Sequence, residues 1–498
     1  MNANLFARFL EAAPADRGEP LLERPGRPPL SWRDMLEASG RIATLLRERG
    51  LQPGDRVTVQ VAKSAEAVWL YLACLRGGFV FHPLNEAYQP AELAFLLQDA
   101  APALAVCDPA REALFRELAP ADCQVLCLAA DGSGSLMEEA ARHDPDTGVV
   151  QRQPGDLAAL LYTSGTTGRP KGAMISHGNL AANAAALVAA WGFTRTDRLL
   201  HALPIYHAHG LFVGLGCVLM SGARLLFLER FAPDAVLDAL PRATVMMGVP
   251  TYYSRLLQQP GFDRDACAHM RLFISGSAPL LPETFASFRQ RSGHAILERY
   301  GMTETGMNTS NPLHGERKAG SVGPPLPGVE LRIADADDRP LPAGAIGEIQ
   351  LRGANVFAGY WGLPEKTAEA FTADGFFRSG DQGTIDAGGY VSIIGRSKDL
   401  VISGYPREVE ILLDALPGVA ESAVIGAPHP DLGEAVIAVI VASGDGAPAE
   451  QAIIAALKRQ LAGFKVPKRV FMVTELPRNA MGKVEKAVLR KRHEHAFN

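Results

Sequence analysis

Two patterns of hydrophobic and polar residues follow one another along the chain. From residue 55 to about residue 310, short apolar runs rich in β-branched residues alternate with stretches whose apolar residues recur at helical spacing. This alternation predicts parallel strands covered by helices. The predicted strands are residues 56–61, 157–162, 198–203, 223–228, 244–248 and 271–275. The predicted helices between them are residues 66–75, 178–190 and 211–220, with Gly222 as a stop signal.

After residue 327 the apolar runs become short and alternating, with turn signals between them. Residues 329–334, 347–352 and a hairpin at 382–396 predict an antiparallel region. The last hundred residues predict a helix at 407–415, strands at 421–426 and 435–441, a helix at 450–461 and a basic terminal segment. The predicted fold is α/β. A large N-terminal domain of helix-covered sheets with a small antiparallel β region spans residues 1–396, and a small α+β C-terminal domain spans 397–498.

Composition narrows the functional classes. The 498 residues are 47% hydrophobic and 21% charged with a net charge of −5, as expected for a globular protein of more than one domain. The charge offers no basic field for nucleic acid. The longest apolar stretches fall short of the roughly 20 residues that a bilayer span needs, and the first residues lack a secretory pattern, so a cytoplasmic protein is expected. The six scattered cysteines are expected to be buried free thiols.

A run rich in glycine and hydroxyl residues follows the predicted strand at 157–162. It comprises Thr163, Ser164, Gly165, Thr166, Thr167, Gly168, Arg169, Pro170, Lys171 and Gly172. Glycines let backbone amides surround an anion, hydroxyl groups donate further hydrogen bonds and a lysine adds charge, so the run predicts a phosphate-binding loop before a helix. It is not a Walker loop, because Pro170 precedes Lys171 and neither Ser nor Thr follows it. The alternative is a surface turn.

Four further motifs occur in order along the chain. They are Glu-Arg-Tyr-Gly-Met-Thr-Glu at 298–304, Phe-Arg-Ser-Gly-Asp at 377–381, Gly-Arg-Ser-Lys-Asp at 395–399 and Pro-Arg-Asn-Ala-Met-Gly-Lys at 477–483. Together with the glycine-rich run they closely resemble the signature motifs of the adenylate-forming superfamily of acyl-CoA synthetases, adenylation domains and luciferases. The resemblance covers nearly the whole chain. It implies an enzyme that uses ATP and Mg²⁺ to activate a carboxylate for transfer to coenzyme A (CoA).

The resemblance also implies roles for individual residues. The segment Thr163 to Lys171 would hold the phosphates, and Glu304 with Thr166 would bind Mg²⁺. Asp381 and Arg396 would grip the ribose hydroxyls. Tyr300 would stack on adenine, beside a backbone strip of Gly276, Ser277 and Ala278. The remaining residues of the implied ATP site are Glu298, Arg299, Gly301 and Met302, and the implied catalytic residues are Thr303, Glu304 and Lys483.

The C-terminal domain is expected to be mobile. In relatives it rotates between an adenylating and a thioester-forming pose about a hinge, which corresponds here to Lys398. Lys483 resembles the lysine that contacts the carboxylate and the α-phosphate during adenylation, so it would act only when the domain closes. Acetylation of Lys483 by a lysine acetyltransferase would remove the charge that this step needs.

The segment after the hinge departs from the resemblance. Relatives carry a glycine-rich insert before the Tyr-Pro pair, whereas here Gly404 directly precedes Tyr405. In relatives this insert lies near the pantetheine channel, so a true deletion would put thioester formation in doubt. The other interpretation, favoured by the well-matched flanks, is that the protein has this insert and that its residues are missing from the printed sequence, although the residue numbers run on without a gap.

The segment 201–212 contains three histidines and is the candidate acyl pocket. The resemblance places His207 there; a metal site is the alternative, but no acidic or cysteine ligand accompanies the histidines. A second anionic group on the substrate would need a cation. The candidate substrate residues are His207, His209, Arg230, Arg271 and Met302. Arg271 could instead be a structural arginine.

Residues 1–8, 271–278 and 302–310 closely resemble those of bacterial malonyl-CoA synthetases. The hypothesis is ATP-dependent ligation of malonate to CoA through an acyl-adenylate, with methylmalonate as a second candidate and with AMP and pyrophosphate released. Three alternatives remain: an acyl-CoA synthetase for another small or aryl acid, a phosphotransferase that releases ADP, and a non-catalytic nucleotide-binding module. The presence of Lys483, Glu304 and Asp381 argues against the last.

Overall fold

A computed structural model describes most of the chain. The described residues are 2–163, 170–396, 406–429, 433–444, 446, 448–461, 466–479 and 482–497, with the backbone alone for 396, 406–408 and 433–434. The predicted hinge Lys398 therefore lies outside the described residues. The full sequence is continuous through Gly404 and Tyr405. The expectation of absent residues at this point is wrong, because well-matched flanks do not fix the length between them.

The first sheet has six strands in the order β6-β5-β3-β4-β7-β8, parallel except for β8. Its strands are β3 (Arg56–Gln60), β4 (Val80–Pro83), β5 (Leu104–Cys107), β6 (Gln124–Cys127), β7 (Leu157–Thr163) and β8 (Lys171–Ser176). The neighbouring helices are α2 (Trp32–Glu48), α3 (Ala65–Gly77), α4 (Pro90–Ala100), a 3₁₀ turn (Pro109–Arg111), α5 (Glu112–Leu118) and α6 (Ser135–Ala140). The run 65–77 is buried almost all round, as expected for a helix enclosed by other elements.

The second sheet has eight strands in the order β14-β13-β12-β11-β9-β10-β1-β2. They are β1 (Pro20–Glu23), β2 (Leu30–Ser31), β9 (Arg198–His201), β10 (Arg224–Phe227), β11 (Val245–Gly248), β12 (Leu272–Ser275), β13 (Leu297–Met302) and β14 (Gly306–Ser310). The strands β9 to β13 run parallel, so their carboxyl ends meet along one edge. The helices are α1 (Leu5–Ala12), α7 (His177–Trp191), a π-helix (His209–Gly214), α8 (Leu215–Ser221), α9 (Pro233–Ala239), a 3₁₀ turn (Leu240–Arg242), α10 (Pro250–Leu257) and α11 (Pro282–Ser292).

The helix predicted at 211–220 is confirmed, but its first part is a π-helix that continues into α8. Such wide turns are rare and occur often at functional sites. Gly222 ends the helix in the left-handed conformation, with φ of 70°, as predicted.

The third sheet is small, with the order β15-β16-β17-β18, and β16, β17 and β18 pair antiparallel as predicted. Its strands are β15 (Val329–Ala334), β16 (Gly347–Gly353), β17 (Phe377–Ile385) and β18 (Val391–Arg396), with α12 (Pro364–Glu369) between β16 and β17. The fourth sheet contains β19 (Val419–His429), β20 (Gly433–Ala442) and β21 (Arg469–Val473), accompanied by α13 (Pro406–Asp414), α14 (Glu450–Lys458) and α15 (Lys486–Arg492). The sequence had predicted two strands there, without β21.

Contacts divide the chain into two compact units, Met1–Glu330 with Arg352–Gly375, and Leu331–Leu351 with Phe376–Asn498. The domain boundary predicted between residues 396 and 397 stays a prediction. None of the helices that the structure describes is long and apolar enough to cross a lipid bilayer.

Candidate active site

The glycine-rich run joins two antiparallel strands. Thr163 ends β7, Lys171 begins β8, and the two residues are paired in register. The intervening Ser164, Gly165, Thr166, Thr167 and Gly168 lie outside the described residues. The helix expected after the loop is preceded by β8 and begins only at His177. The sequence did not reveal β8 because its apolar run is only three residues long, from Ala173 to Ile175.

Tyr360 connects the base of this loop with the predicted metal ligand. The Lys171 ammonium lies 4.2 Å from the centroid of the Tyr360 ring, a cation–π distance. The Tyr360 hydroxyl donates a hydrogen bond of 3.1 Å to Glu304 Oε1. Tyr360 and Glu304 are each only 6% exposed. Sequence reasoning missed Tyr360, although it lies in a local cluster of aromatic residues from 357 to 361 that could have indicated a structured site.

Arg299 is a buried cation beneath the strip that follows β12. Arg299 is 2% exposed. A Cβ placed on Gly276 would lie 2.3 Å from Arg299 Cζ, so only glycine lets the backbone come this close to the guanidinium. Burial lowers the pKa of Arg299 to about 10, which still leaves it charged at neutral pH. Its buried Nε and Nη2 atoms have no hydrogen-bond partner among the described residues. An unpaired buried cation is costly, so this position suits an anionic ligand.

His209 and Ser277 lie beside this guanidinium. His209 is 2% exposed, and its Nδ1 is 3.3 Å from Ser277 Oγ. Burial, and then the charge of Arg299, lower the pKa of His209 well below its ordinary value, so the imidazole is neutral. Ser277 has a φ of 70°, which is uncommon for a residue other than glycine and typical of strained functional sites.

The other predicted substrate residues are in different surroundings. The Arg271 guanidinium donates to both carboxylate oxygens of Asp197, at 2.7 and 2.8 Å, and to the carbonyls of Trp191 and Gly192. These contacts favour the structural interpretation of Arg271. Arg230 is exposed after β10, and His207 is partly buried just before the π-helix.

The motif at 298–304 covers β13 and the turn after it. Glu298 is buried, and its Oε1 accepts a hydrogen bond from the backbone N–H of Leu280. A Cβ on Gly301 would lie 2.2 Å from the carbonyl oxygen of Gly306, so the strand pair again requires glycine. Four predicted site residues of this region are also partly buried: Ala278, Tyr300, Met302 and Thr303.

The second compact unit carries Asp381, Arg396 and Lys483. Asp381 is 5% exposed in β17 and is paired in register with Arg396 of β18. Directly opposed residues of antiparallel strands lie close together. Their joint role at the ribose stays a prediction. Lys483 is exposed after a turn in which its N–H donates to Asn479 Oδ1.

Metal-ligating residues are sparse. Within the described part of the chain, no three His, Cys, Asp or Glu side chains are grouped as a protein-only metal site would need. A cation held by a buried carboxylate and by phosphate oxygens needs fewer protein ligands. The arrangement of Glu304 fits that kind of site.

Comparisons with known proteins agree with these features. The AMP-binding enzyme family matches residues 11–361, and its C-terminal domain matches residues 408–483. The ATP-bound crystal structure of MatB from Rhodopseudomonas palustris is 50% identical over all of both chains, with a TM-score of 0.98. The sulfoacetate–CoA ligase of Cupriavidus necator is 37% identical over 91% of this chain and 90% of its own length. The malonate–CoA ligase of Arabidopsis thaliana is 35% identical over 90% of this chain and 79% of its own length. The chain thus belongs to the AMP-binding enzyme family and is an acid–thiol ligase that joins a carboxylic acid to CoA through an acyl-adenylate.

Proposed function

We propose that this enzyme ligates malonate to CoA, with methylmalonate as a second substrate. The observation that carries the proposal is the Arg299 guanidinium beside His209 and Ser277, whose buried Nε and Nη2 atoms have no hydrogen-bond partner among the described residues. A distal carboxylate would accept hydrogen bonds from its buried Nε and Nη2 atoms, which a monocarboxylic acid would leave unsatisfied. Arg299, expected at first to line the ATP site, is a better candidate for reading this carboxylate than Arg271, which already binds Asp197.

The relatives support an acid with two anionic ends. Malonate carries a second carboxylate, and sulfoacetate carries a sulfonate at the same distance from its reacting carboxylate. Both are named as substrates of relatives that cover most of this chain. A buried guanidinium suits either anion, so sulfoacetate is a further candidate substrate beside malonate and methylmalonate.

The nucleotide would occupy the signature motifs of the sequence. Thr163, Lys171 and the glycine-rich residues between them would contact the phosphates, and Tyr300 would stack on adenine. Asp381 and Arg396 would bind the ribose hydroxyls. Glu304, together with Thr166, would hold Mg²⁺, which would neutralise phosphate charge. The buried Glu304 carboxylate, held by Tyr360, fits this role.

Two displacements account for the reaction. An oxygen of the malonate carboxylate attacks the α-phosphorus of ATP, so the bond to pyrophosphate breaks and malonyl-adenylate forms. Lys483 would stabilise the negative charge that develops on the carboxylate and α-phosphate oxygens. The deprotonated CoA thiol then attacks the acyl carbon, and AMP leaves as the thioester forms. The thiol proton passes to solvent.

The test compares kcat/KM for malonate, methylmalonate, sulfoacetate and acetate in the wild type and in Arg299→Met. The wild type should prefer malonate, and Arg299→Met should lower kcat/KM for malonate about 100-fold while changing that for acetate little. The matched control is Arg317→Met, which removes a half-buried guanidinium that donates to three backbone carbonyls. It should leave the ratio of malonate to acetate unchanged. A wild type that prefers acetate, or an equal loss for both acids in Arg299→Met, would refute malonate recognition by Arg299.

A further inference from the structure

A buried lysine joins the two large sheets next to the candidate acyl-pocket segment, residues 201–212. Lys63 follows β3 and is 8% exposed. Its Nζ lies 2.9 Å from His201 Nδ1, 2.8 Å from the His201 carbonyl oxygen and 2.6 Å from the Leu228 carbonyl oxygen. The two carbonyls lie at the carboxyl ends of the neighbouring strands β9 and β10, and the Phe227 ring lies 4.3 Å from Nζ. This lysine therefore ties together three strand ends.

The hydrogen-bond pattern fixes the charge of the pair. His201 Nε2 is 2.9 Å from the carbonyl oxygen of Gly210, which can only accept, so Nε2 carries a proton. The two other carbonyls near Lys63 Nζ also can only accept. All four contacts are satisfied only if Lys63 and His201 together carry one positive charge. Burial lowers both pKa values: that of His201, which also lies next to Lys63, to about 3, and that of Lys63 well below its ordinary value. With His201 as the neutral tautomer protonated on Nε2, the three contacts of Lys63 Nζ with acceptors need three N–H donors, which only the ammonium supplies.

The network leads to the π-helix. Gly210 is the second residue of this helix and follows His209 directly. The space is tight, because a Cβ on Gly210 would lie 2.1 Å from the Pro204 carbonyl oxygen, and one on Gly214 would lie 2.9 Å from His201 Cδ2. The His201 ring thus packs against the π-helix while bonding to its first turn. Any movement of His201 would move the backbone that presents His209.

We propose that Lys63 is a positioning residue for the acyl pocket: through His201 and the Gly210 carbonyl it fixes the first turn of the π-helix, and with it the His209 imidazole. The inference rests on the proposed function only in placing the substrate carboxylate beside His209. Lys63 itself touches no reacting atom. Its loss should therefore affect the binding of the carboxylic acid more than the binding of ATP.

The test is Lys63→Met, which keeps an unbranched side chain and removes the charge. The KM for the carboxylic acid should rise about tenfold, as expected when one to two hydrogen bonds are lost, while the KM for ATP changes less than about twofold. The acid is the one that the wild type uses best. A wild type that rejects malonate would thus overturn the substrate assignment without affecting this measurement.

Arg76→Met is the matched control for the loss of a buried cation. Arg76 is 3% exposed, donates to the carbonyls of Leu36 and Gly148 and to Ser39 Oγ, and lies 4.7 Å from the centroid of the Phe6 ring. The Arg76→Met variant should lose about as much thermal stability as Lys63→Met, and its KM values for the carboxylic acid and for ATP should be unchanged. An equal rise of the two KM values in Lys63→Met, or the same acid-specific rise in Arg76→Met, would overturn the positioning role.

Two substitutions of His201 separate the contacts even if Lys63→Met fails to fold. In His201→Gln the amide nitrogen can take the place of Nε2 and keep the bond to Gly210. In His201→Asn the side-chain oxygen can take the place of Nδ1 and keep the hydrogen bond from Lys63, but the bond to the Gly210 carbonyl is lost. Each variant breaks one of the two contacts in series, so both should raise the KM for the acid while changing the KM for ATP less than about twofold. An unchanged KM for the acid in either variant would contradict the proposal.

Discussion

The Tyr360 hydroxyl donates a hydrogen bond to Glu304 Oε1 over 3.1 Å, while the face of the same ring lies 4.2 Å from the Lys171 ammonium. One buried side chain therefore contacts both an acidic and a basic residue of the proposed phosphate site. The contact holds the two opposite charges in defined positions before a nucleotide arrives. Groups that are already oriented lose less entropy when they stabilise a transition state.

Substitution of Tyr360 separates these two contacts. Tyr360→Phe keeps the ring but removes the hydroxyl, so the Mg²⁺ concentration for half-maximal activity should rise by up to about tenfold, with a smaller effect on the KM for ATP. Tyr360→Leu also removes the aromatic face below Lys171, so the KM for ATP should rise further. Titrations of Mg²⁺ and of ATP measure the two effects. Identical titrations for the Phe and Leu variants would show that the ring does not act on Lys171.

Local pattern predicted most of the strands, because a buried parallel strand is a short apolar run. Residues 56–61 were predicted for β3, which spans Arg56–Gln60, and 271–275 for β12, which spans Leu272–Ser275. The contacts of Tyr360 with Glu304 and of Lys63 with His201 join residues 56 and 138 positions apart, and no local pattern encodes such contacts. The motif at 298–304 drew attention to Arg299, but only the structure shows that its guanidinium is buried below Gly276.

Arg271→Ala should reduce stability without changing substrate preference. It leaves the nearly buried Asp197 carboxylate without its bidentate partner, at a cost of about 3 kcal/mol in the free energy of unfolding. Activity with malonate and with acetate should fall by the same factor. Denaturant melts measure the stability, and a selective loss of malonate activity would restore Arg271 as a substrate residue.

The stability difference for Arg271→Ala should depend on pH. Burial opposes ionisation of Asp197, but hydrogen bonds from Arg271, Thr194 and Thr244 outweigh it and hold the carboxyl pKa below its ordinary value. A lowered folded-state pKa stabilises the protein above the unfolded value of about 3.9, and that contribution is lost as the pH falls through the folded value. The difference between wild type and variant should therefore be constant near neutral pH and shrink below about pH 4. A difference that grows in acid would contradict this assignment.

Gly276→Ala should act through Arg299. The added Cβ would lie 2.3 Å from Arg299 Cζ, so the guanidinium must move. We expect kcat/KM for malonate to fall about tenfold or more relative to that for acetate, because the distal carboxylate loses its oriented partner. Gly261→Ala is the control, since its nearest atom, Leu237 Cδ1, is 3.9 Å away. If the ratio of kcat/KM for malonate to that for acetate is unchanged in Gly276→Ala, Arg299 is not the residue that binds the distal carboxylate.

Lys483→Ala should separate the two half-reactions. The substitution removes an exposed charge and leaves the N–H that donates to Asn479, so the fold should be retained. Adenylate formation should be abolished, which is measured by the exchange of labelled pyrophosphate into ATP. Transfer from chemically prepared acyl-adenylate to CoA should proceed at nearly the wild-type rate. Equal loss of both half-reactions would contradict a role confined to adenylation.

Ligation of malonate to CoA is tested by mass spectrometry of the products formed from ATP, Mg²⁺, CoA and malonate, with acetate and methylmalonate in parallel. The short segment before Tyr405 makes the second half-reaction the critical one. We expect malonyl-CoA together with AMP. Malonyl-adenylate without a thioester, or thioester from acetate but none from malonate, would contradict it.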